Sequence, residues 1–466
     1  MLTLLSGAMS AGCSFSTRRD FIRVGALGLG GLTLPWLLSH RAWAVEHDAV
    51  RDRAVVLLFL SGGASHIETF NPNMGAPSPY CSLTGAVQTS LPGVTFGGTF
   101  PQLARHAHEM AVVRSFQHSI GGHVEAIRHV LTGGTDPSGK GAAGFGMGAA
   151  YARLRGANHP RTGMPTSALL NTEEVDPQYR NEKDRVERGS APNGLGSNYA
   201  PFIPDGKGDA VDNLTLNVST DRLDDRRSLL TALDRFRRTS EATDAWAGVD
   251  KYTQQAFDVI LGSTAEAFDL SRENPRLVER YDTSSFQVGK KVFRSSQLGR
   301  HMLTARRLIE AGCGFVTVHS AGWDMHADGN NPGIEAGMEM LGRPVDQAVS
   351  AFLDDLRERG LLDKVLLIIT GDFGRTPTIN SRGGRDHWPK LCTLALAGGG
   401  VNRGRIIGQS SRKNDEPLTE PVGPGQLLAS VMHTLFDVGA LRVRPDVPRE
   451  LMQMIEQHAP IPDLLA

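Results

Sequence analysis

The feature that most constrains the fold is an uninterrupted apolar run, Ala54–Leu60, which ends in Ser61-Gly62-Gly63. Seven apolar residues without alternation suit a strand buried on both faces, as strands of parallel sheets are. Other mainly apolar runs recur at 110–113, 315–318, 365–370 and 391–397. Helical patterns lie between these runs, at 101–108, 124–131, within 223–312 and at 334–359. The sequence therefore predicts a three-layer α/β fold, with helices flanking a mostly parallel central sheet.

Residues 1–44 have the features of an export signal. Arg18-Arg19 precedes a weakly apolar run, 24–38, and Ala42-Trp43-Ala44 supplies the small residues that signal peptidase recognises. We expect a twin-arginine signal peptide, a mature chain starting at Val45, and a periplasmic or extracellular location. The apolar run is short for a transmembrane helix, so we expect no stable membrane span after cleavage. An N-terminal anchor that is never cleaved is the alternative.

Residues 45–466 are long enough for one large α/β domain. A polar stretch rich in glycine and proline, from Asn171 to about Asp212, predicts an insertion over the sheet near the site. Removing the four arginines and one aspartate of residues 1–44 leaves 45 basic and 49 acidic residues, a net charge of −4. Such a charge does not favour nucleic-acid binding. Three scattered cysteines, at 81, 313 and 392, indicate neither a disulfide framework nor a thiolate zinc site.

Polar side chains follow four of the predicted strands at the point where each strand ends. They are His66 and Glu68, then His123, then Asp324 and His326, and finally Asp372, Arg375 and His387. Ligands of open α/β sheets bind beyond the carboxyl ends of the strands, so we expect these side chains to meet there. Imidazole and carboxylate are ligands that divalent ions accept. A structural role is the simpler interpretation of any single histidine, but the joint pattern predicts a metal site.

Four ordered segments are similar to motifs of a known bacterial family. They span residues 60–72, 322–326, 372–377 and 383–389. Together with the export signal, they resemble the family called domain of unknown function 1501 over essentially the whole mature chain. That family looks like a distant branch of the alkaline phosphatase and sulfatase superfamily. The resemblance implies a central sheet, one or two divalent ions at the strand ends (zinc, manganese or calcium), and a nucleophile at the start of a helix.

The superfamily pattern can be carried over only in part. Its nucleophile precedes a Thr-Gly pair by nine positions, which here leads from Thr132 to His123, where a serine, threonine or formylglycine is expected. The resemblance implies that Asp372 and His387 are ligands. The aspartate expected after the first strand is absent, and His326 has only Asp324 close by instead of an aspartate four residues earlier. These departures imply either one ion or a rearranged pair that uses His66, Glu68 and Asp324.

The resulting hypothesis is a metal-dependent hydrolase of phosphate or sulfate esters in the cell envelope. Its substrate would be a small anionic ester or an envelope glycan. Asp372, His387 and His326 would hold the metal, and Arg375 would bind the anionic group by bidentate hydrogen bonds. His123 would be a ligand, a general base or a nucleophile. The alternatives are a non-catalytic binding or assembly protein that retains the fold, and a protein whose metal is structural.

Overall fold

The computed structural model describes residues 49–134, 144–171, 177–204 and 264–465. The strands in these ranges are β1 (Ala54–Leu60), β2 (Ala86–Gln88), β3 (Thr95–Gly97), β4 (Met110–Val113), β5 (Ser167–Leu170), β6 (Gln287–Val288), β7 (Arg294–Ser295), β8 (Phe315–Ser320), β9 (Val365–Gly371), β10 (Gly374–Arg375), β11 (His387–Trp388), β12 (Leu394–Gly398) and β13 (Arg405–Ile407). Seven of them form one sheet in the order β13-β4-β12-β9-β1-β8-β5, and the other six pair as three two-stranded sheets.

Helices cover both faces of the seven-stranded sheet. The α-helices of the described ranges are α1 (His123–Leu131), α2 (Met147–Arg155), α3 (Pro177–Gly189), α4 (Thr264–Phe268), α5 (Pro275–Tyr281), α6 (Leu298–Glu310), α7 (Ile334–Gly337), α8 (Arg343–Glu358), α9 (Pro424–Leu435), α10 (Val438–Arg442) and α11 (Arg449–Glu456). A π-helical turn, Met338–Gly342, joins α7 to α8. Short 3₁₀ helices occur at Leu103–Glu109, Asn193–Leu195, Ser197–Tyr199 and Leu270–Arg272. No helix in these ranges has the length and apolar character needed to cross a bilayer.

The central strand β1 explains why the sheet has a core on each side. All seven of its residues are buried. Val56, Leu58 and Leu60 pack into the core that contains α6 and α8. Val55, Leu57 and Phe59 pack into the opposite core, which contains α1, α2 and α9. Alternate side chains of a strand point to opposite faces, so an uninterrupted apolar run is what a three-layer fold requires.

Strand direction brings the predicted site to one edge of the sheet. β1 pairs in parallel with β8 and β9, and β5 pairs in parallel with β8. β12 is antiparallel to both β9 and β4, so β4 runs in the same direction as β9. The carboxyl ends of β1, β4, β8 and β9 therefore lie at the same edge, and β12 begins there. The predicted three-layer, mostly parallel fold is confirmed, with β12 as its antiparallel member.

Some sequence predictions lie partly or wholly outside the described residues. The export signal, 1–44, and the helical patterns between 223 and 263 are outside them. Of the predicted insertion, 171–212, the structure describes residue 171 and residues 177–204, which form α3 and two 3₁₀ turns. Residues 101–108 were expected to form a helix, and the structure has a 3₁₀ helix at Leu103–Glu109.

Candidate metal centre

Asp324, in the loop after β8, lies at the centre of a group of histidines. Its Oδ1 atom is 2.9 Å from Nε2 of His326 and 3.3 Å from Nε2 of His387. Its Oδ2 atom is 3.4 Å from Nε2 of His123. His123, Asp324 and His387 each offer one ligand atom, and these three atoms lie within 4.8 Å of one another. His326 adjoins them, because its Nε2 atom is 2.9 Å from Nε2 of His387. We call these four residues the histidine cluster.

Two glycines let the loop of Asp324 and His326 approach the sheet closely. A Cβ atom on Gly62, directly after β1, would lie 2.5 Å from the backbone nitrogen of Asp324. A Cβ atom on Gly384 would lie 2.2 Å from the carbonyl carbon of His326. Gly62 also has a φ of +101°, which side-chain-bearing residues rarely adopt. Both positions therefore need glycine to hold this loop in place.

His123 connects the cluster to a buried carboxylate. It is the first residue of α1, and its Nδ1 atom lies 2.6 Å from Oδ2 of Asp372, the residue that follows β9. Asp372 is fully buried. Its Oδ1 atom has no hydrogen-bond partner among the described residues. A buried carboxylate oxygen without a donor is costly, so this atom is suited to contact a cation.

Hydrogen bonds on the far ring nitrogens orient two of the histidines. Nδ1 of His387 is 2.8 Å from the carbonyl oxygen of Gly121, which requires Nδ1 to be the donor. Nδ1 of His326 is 2.9 Å from Oδ1 of Asp386. In both rings, Nε2 is thereby turned toward the cluster. Such outer contacts fix the tautomer and the ring orientation of metal-binding histidines.

The charges of the cluster are strongly coupled. Burial opposes ionisation of Asp324, but hydrogen bonds from His123, His326 and His387 and the charge of Arg375 hold its pKa far below the usual range. Burial also opposes protonation of His123, but the carboxylates of Asp324 and Asp372 raise its pKa to about 9. The hydrogen bond to Asp324 raises the pKa of His326. A cation that binds here must therefore displace protons from histidine.

Arg375 makes its contacts within the protein. It is fully buried, and its Nη2 atom donates to Oδ1 of Asp324 at 2.6 Å. Its Nη1 atom lies 3.4 Å from Nε2 of His326. Its remaining contacts are with the backbone carbonyl oxygens of Gly62, Gly63, Trp323 and Arg385. Bidentate binding of an anionic group by Arg375 stays a prediction, whereas its observed contact fixes the position of Asp324.

His66 and Glu68, two of the predicted ligands, lie outside the cluster. Glu68 is fully buried and forms an ion pair with Arg385 at 3.0 Å. Its oxygens also accept hydrogen bonds from Ser82, Leu83 and Thr84. His66 is buried with Nε2 3.1 Å from the carbonyl oxygen of Asn414, and its Nδ1 atom has no hydrogen-bond partner among the described residues. Burial lowers the pKa of His66 to about 4. The role of these two residues as ligands stays a prediction.

Sequence reasoning missed a second polar network at the same edge. Oγ of Ser61, directly after β1, lies 2.6 Å from Oε2 of Glu182 on α3 and 2.6 Å from Nε2 of His319 on β8. Nδ1 of His319 contacts Oδ1 of Asn171. Ser61 and His319 are polar residues at strand ends, which was the available signal. Glu182 lies within the polar insertion, and no spacing connects it to either.

The ligand types of the histidine cluster fit a divalent transition metal. His123, His326, His387, Asp324 and Asp372 offer imidazole nitrogens and carboxylate oxygens. Zinc and manganese accept such a mixture, whereas calcium binds oxygen ligands almost exclusively. Among the described residues, His123, Asp324 and His387 lie close enough to share an ion, and His326 and Asp372 adjoin them.

Comparison with known proteins identifies the family. The model of a family described as "Protein of unknown function (DUF1501)" matches residues 52–442. This chain belongs to the DUF1501 family. The match spans β1, β4, β8 and β9 and every residue of the histidine cluster. No curated protein sequence matches the chain.

Several solved structures are similar to this DUF1501 protein at low sequence identity. The lipoteichoic acid synthase LtaP from Listeria monocytogenes is 9% identical, with a TM-score of 0.37; 85% of this chain and 77% of that chain are covered. The phosphonate monoester hydrolase SpPMH from Silicibacter pomeroyi is 9% identical, with a TM-score of 0.34 and coverage of 82% and 73%. The PsFucS1 sulfatase from Pseudoalteromonas sp. is 13% identical, with a TM-score of 0.31 and coverage of 80% and 67%. Because these TM-scores are low, we describe the fold by its own strand order.

Proposed function

We propose that this DUF1501 protein is a metal-dependent hydrolase of phosphate or sulfate esters. The observation that carries the proposal is the histidine cluster, in which residues from three separate parts of the chain direct ligand atoms toward one another. The unpartnered Oδ1 atom of Asp372 adds a buried negative group beside them. Zinc or manganese suits this ligand set better than calcium.

In this proposal the residues at the site would act as metal ligands, as a general base or as positioning residues. His123, Asp324, His326 and His387 would hold the ion, with Asp372 as an additional oxygen ligand. A divalent ion bound there would polarise an ester oxygen and make a nearby water more acidic. When His123 is not itself a ligand, Asp372 would fix its tautomer through Nδ1, and Nε2 would act as a general base once the charge of the ion has displaced its proton. Arg375 would keep Asp324 in place and balance part of its charge.

The substrate class and the location follow from the same proposal. A cationic centre at the carboxyl edge of the sheet suits an anionic ester, either a small molecule or an esterified glycan of the cell envelope. The arginine pair and the apolar run within residues 1–44 support export by the twin-arginine route. We therefore place the activity in the periplasm or outside the cell.

A second candidate is a binding or assembly protein without catalysis. It is favoured by the contacts of Arg375, because this arginine donates its hydrogen bonds to other groups of the protein and not to a substrate anion. In that case the cluster would serve as a structural centre or would bind an anionic partner.

The test is to purify the chain from residue 45, measure bound metal by elemental analysis, and assay aryl phosphates and aryl sulfates. We expect one or two ions per chain and turnover of at least one ester class. Asp324→Asn should abolish both, whereas Asp363→Asn, on the exposed surface, should change neither. A folded protein that binds metal without turnover supports the second candidate, and a folded protein that binds no metal contradicts the hydrolase proposal.

A further inference from the structure

The network of Ser61, Glu182, His319 and Asn171 allows its hydrogen atoms to be assigned. Three of these side chains are almost completely buried: Ser61, Glu182 and His319. The backbone N–H of Ser61 donates to the carbonyl oxygen of Ser320 at 2.9 Å, so Oγ alone serves the network. Hydrogen positions must be deduced from the partners of each group, beginning where the orientation is fixed.

The fixed point is Asn171. Its Nδ2 atom donates to Oε1 of Glu187 at 2.8 Å, so its Oδ1 atom is the one that faces His319. Because Oδ1 can only accept, Nδ1 of His319 must carry the hydrogen. Burial, together with the positive charge of Lys183, lowers the pKa of His319 to about 3, so the ring is neutral. Its Nε2 atom is then a bare acceptor, and it receives the hydroxyl hydrogen of Ser61.

This assignment determines the state of Glu182. Ser61 has one hydroxyl hydrogen, and His319 takes it. The 2.6 Å contact between Oγ of Ser61 and Oε2 of Glu182 then needs a hydrogen on Glu182. Oε2 still has a lone pair for the N–H of Gly322, which donates to it at 2.9 Å. An ionised Glu182 would take the hydroxyl hydrogen of Ser61 away from His319, or would require Asn171 to rotate its amide and lose the contact with Glu187.

The surroundings of Glu182 agree with a protonated acid. Burial raises its pKa to about 7, against the hydrogen bond from Gly322 and the positive charge of His123. The negative charge of Asp372 acts in the same direction as burial. His123 and Asp372 are therefore the charged groups of the metal centre that act on it.

We infer that Glu182 is a proton store beside the histidine cluster, held as a neutral carboxylic acid by the chain Asn171–His319–Ser61. Gly322, which donates to Glu182, is two residues before Asp324. When Glu182 releases its proton, the Ser61 hydroxyl can turn its hydrogen from His319 to the new carboxylate, and His319 stays neutral. In ester hydrolysis, which rests on the proposed function, the released proton would neutralise the leaving oxygen, and the proton lost by the attacking water would return Glu182 to its neutral state. Glu182, Ser61, His319 and Asn171 are positioning and proton-holding residues in this scheme.

The first test needs neither metal nor substrate. With ¹⁵N-labelled histidine, we expect NMR to show His319 as the Nδ1–H tautomer at pH 6, where Glu182 is protonated. An infrared band of a protonated carboxyl group should be stronger at pH 6 in the wild type than in Glu182→Gln, where only Asp346, whose pKa burial raises to about 6, is expected to contribute. An Nε2–H tautomer of His319 at pH 6, or bands of equal strength in the two folded proteins, would overturn the inference.

The second test measures stability. An acid whose pKa is about 4.5 unfolded and about 7 folded loses stability as pH rises between those values. Glutamine mimics the protonated acid and does not titrate. From pH 5 to pH 7, the folding equilibrium constant of the wild type should fall by about ten- to a hundredfold relative to Glu182→Gln. Glu335→Gln, on the exposed side of α7, should follow the wild type. Parallel curves for wild type and Glu182→Gln would contradict a stored proton.

A kinetic measurement separates this inference from the proposed function. If an ester is hydrolysed, Glu182→Gln should lower kcat at least about tenfold with little change in KM, and Ser61→Thr should retain more kcat than Ser61→Ala. An unchanged kcat in Glu182→Gln would overturn the role in hydrolysis. If no ester is hydrolysed, the hydrolase proposal fails, while the tautomer and the carboxyl band still decide whether Glu182 stores a proton.

Discussion

Two polar sites lie at the same edge of the sheet, and they differ in how completely the protein satisfies them. The ion pair of Glu68 and Arg385 is fully buried, and hydrogen bonds from Ser82, Leu83 and Thr84 supplement it. The histidine cluster is partly exposed, with 16–25% of the side-chain surface of its four residues accessible. Next to it, Oδ1 of Asp372 has no partner among the described residues. A saturated site stabilises the fold, whereas an unsaturated site has bonding capacity left for a ligand.

The largest effect should come from breaking the saturated site. Arg385→Met leaves the buried carboxylate of Glu68 without its positive partner, and such a loss typically costs about 3–5 kcal/mol. We expect the free energy of unfolding, measured by denaturant titration, to fall by about that amount. Arg382→Met, on the exposed surface nearby, should have almost no effect. Equal stabilities of the two variants would show that the ion pair is not structural.

Acid should also lower the stability of the fold through His66, which lies near the positive charge of Arg385. Its pKa is about 6.5 in the unfolded chain and about 4 in the folded protein, because burial disfavours the charged ring. Above pH 6.5, both states are neutral and the stability is fully present. As pH falls from 6.5 toward 4, only the unfolded state gains the proton, and stability drops by up to roughly 3 kcal/mol.

The measurement is thermal or denaturant unfolding between pH 7 and pH 4. His319 is buried and His118 and His301 are half-buried, and burial lowers the pKa of all three, so they should add to the loss. His66→Gln removes one of these titrating groups, so the stability of this variant should fall less between pH 7 and pH 4 than that of the wild type. His108→Gln, at an exposed histidine, should leave the curve unchanged. A stability that is constant over this range would contradict neutral buried histidines.

At the unsaturated site, the loss of a charge should reduce metal affinity much more than stability. Asp372→Asn removes a buried negative charge that, among the described residues, forms its ion pair with His123. We expect the metal-free protein to lose less than about 1 kcal/mol, while zinc affinity falls about a hundredfold, or roughly 2.8 kcal/mol. Calorimetric titration with zinc and unfolding of the metal-free protein would measure the two quantities. A large loss of stability with unchanged zinc affinity would place Asp372 among the structural residues.

The fold was predictable from the sequence because the composition of β1 indicates that both of its faces are buried. Seven apolar residues in a row can be buried only between two layers, and the cores on both faces confirm this. The direction of β12 was not predictable. Leu394–Gly398 is equally apolar in either direction, and its antiparallel pairing depends on where the preceding loop enters the sheet.

The candidate site was predictable in part for a similar reason. The end of each parallel strand is a definite place, so His123, Asp324, His326, Asp372 and His387 could be assigned to one edge. Glu68 follows the same rule, but its partner Arg385 is 317 residues away, and no local pattern reveals that pair. Glu182 does not follow this rule, because it lies on the helix α3, and the sequence does not specify where this helix packs on the sheet. Which polar residues are saturated depends on such long-range contacts.

The smallest expected effect tests the boundary of the unsaturated site. Asp386 accepts from Nδ1 of His326 at 2.9 Å, but more than half of its side chain is exposed. Outer partners of metal-binding histidines usually contribute ten- to a hundredfold to affinity, and water can replace an exposed one. Asp386→Asn should therefore weaken zinc binding by less than about tenfold, because the amide oxygen can still accept from His326. Asp386→Leu, which cannot accept, should weaken it more. If both variants bind zinc as weakly as Asp372→Asn, the orientation of His326 matters as much as the buried carboxylate, and the cluster must be extended to include Asp386.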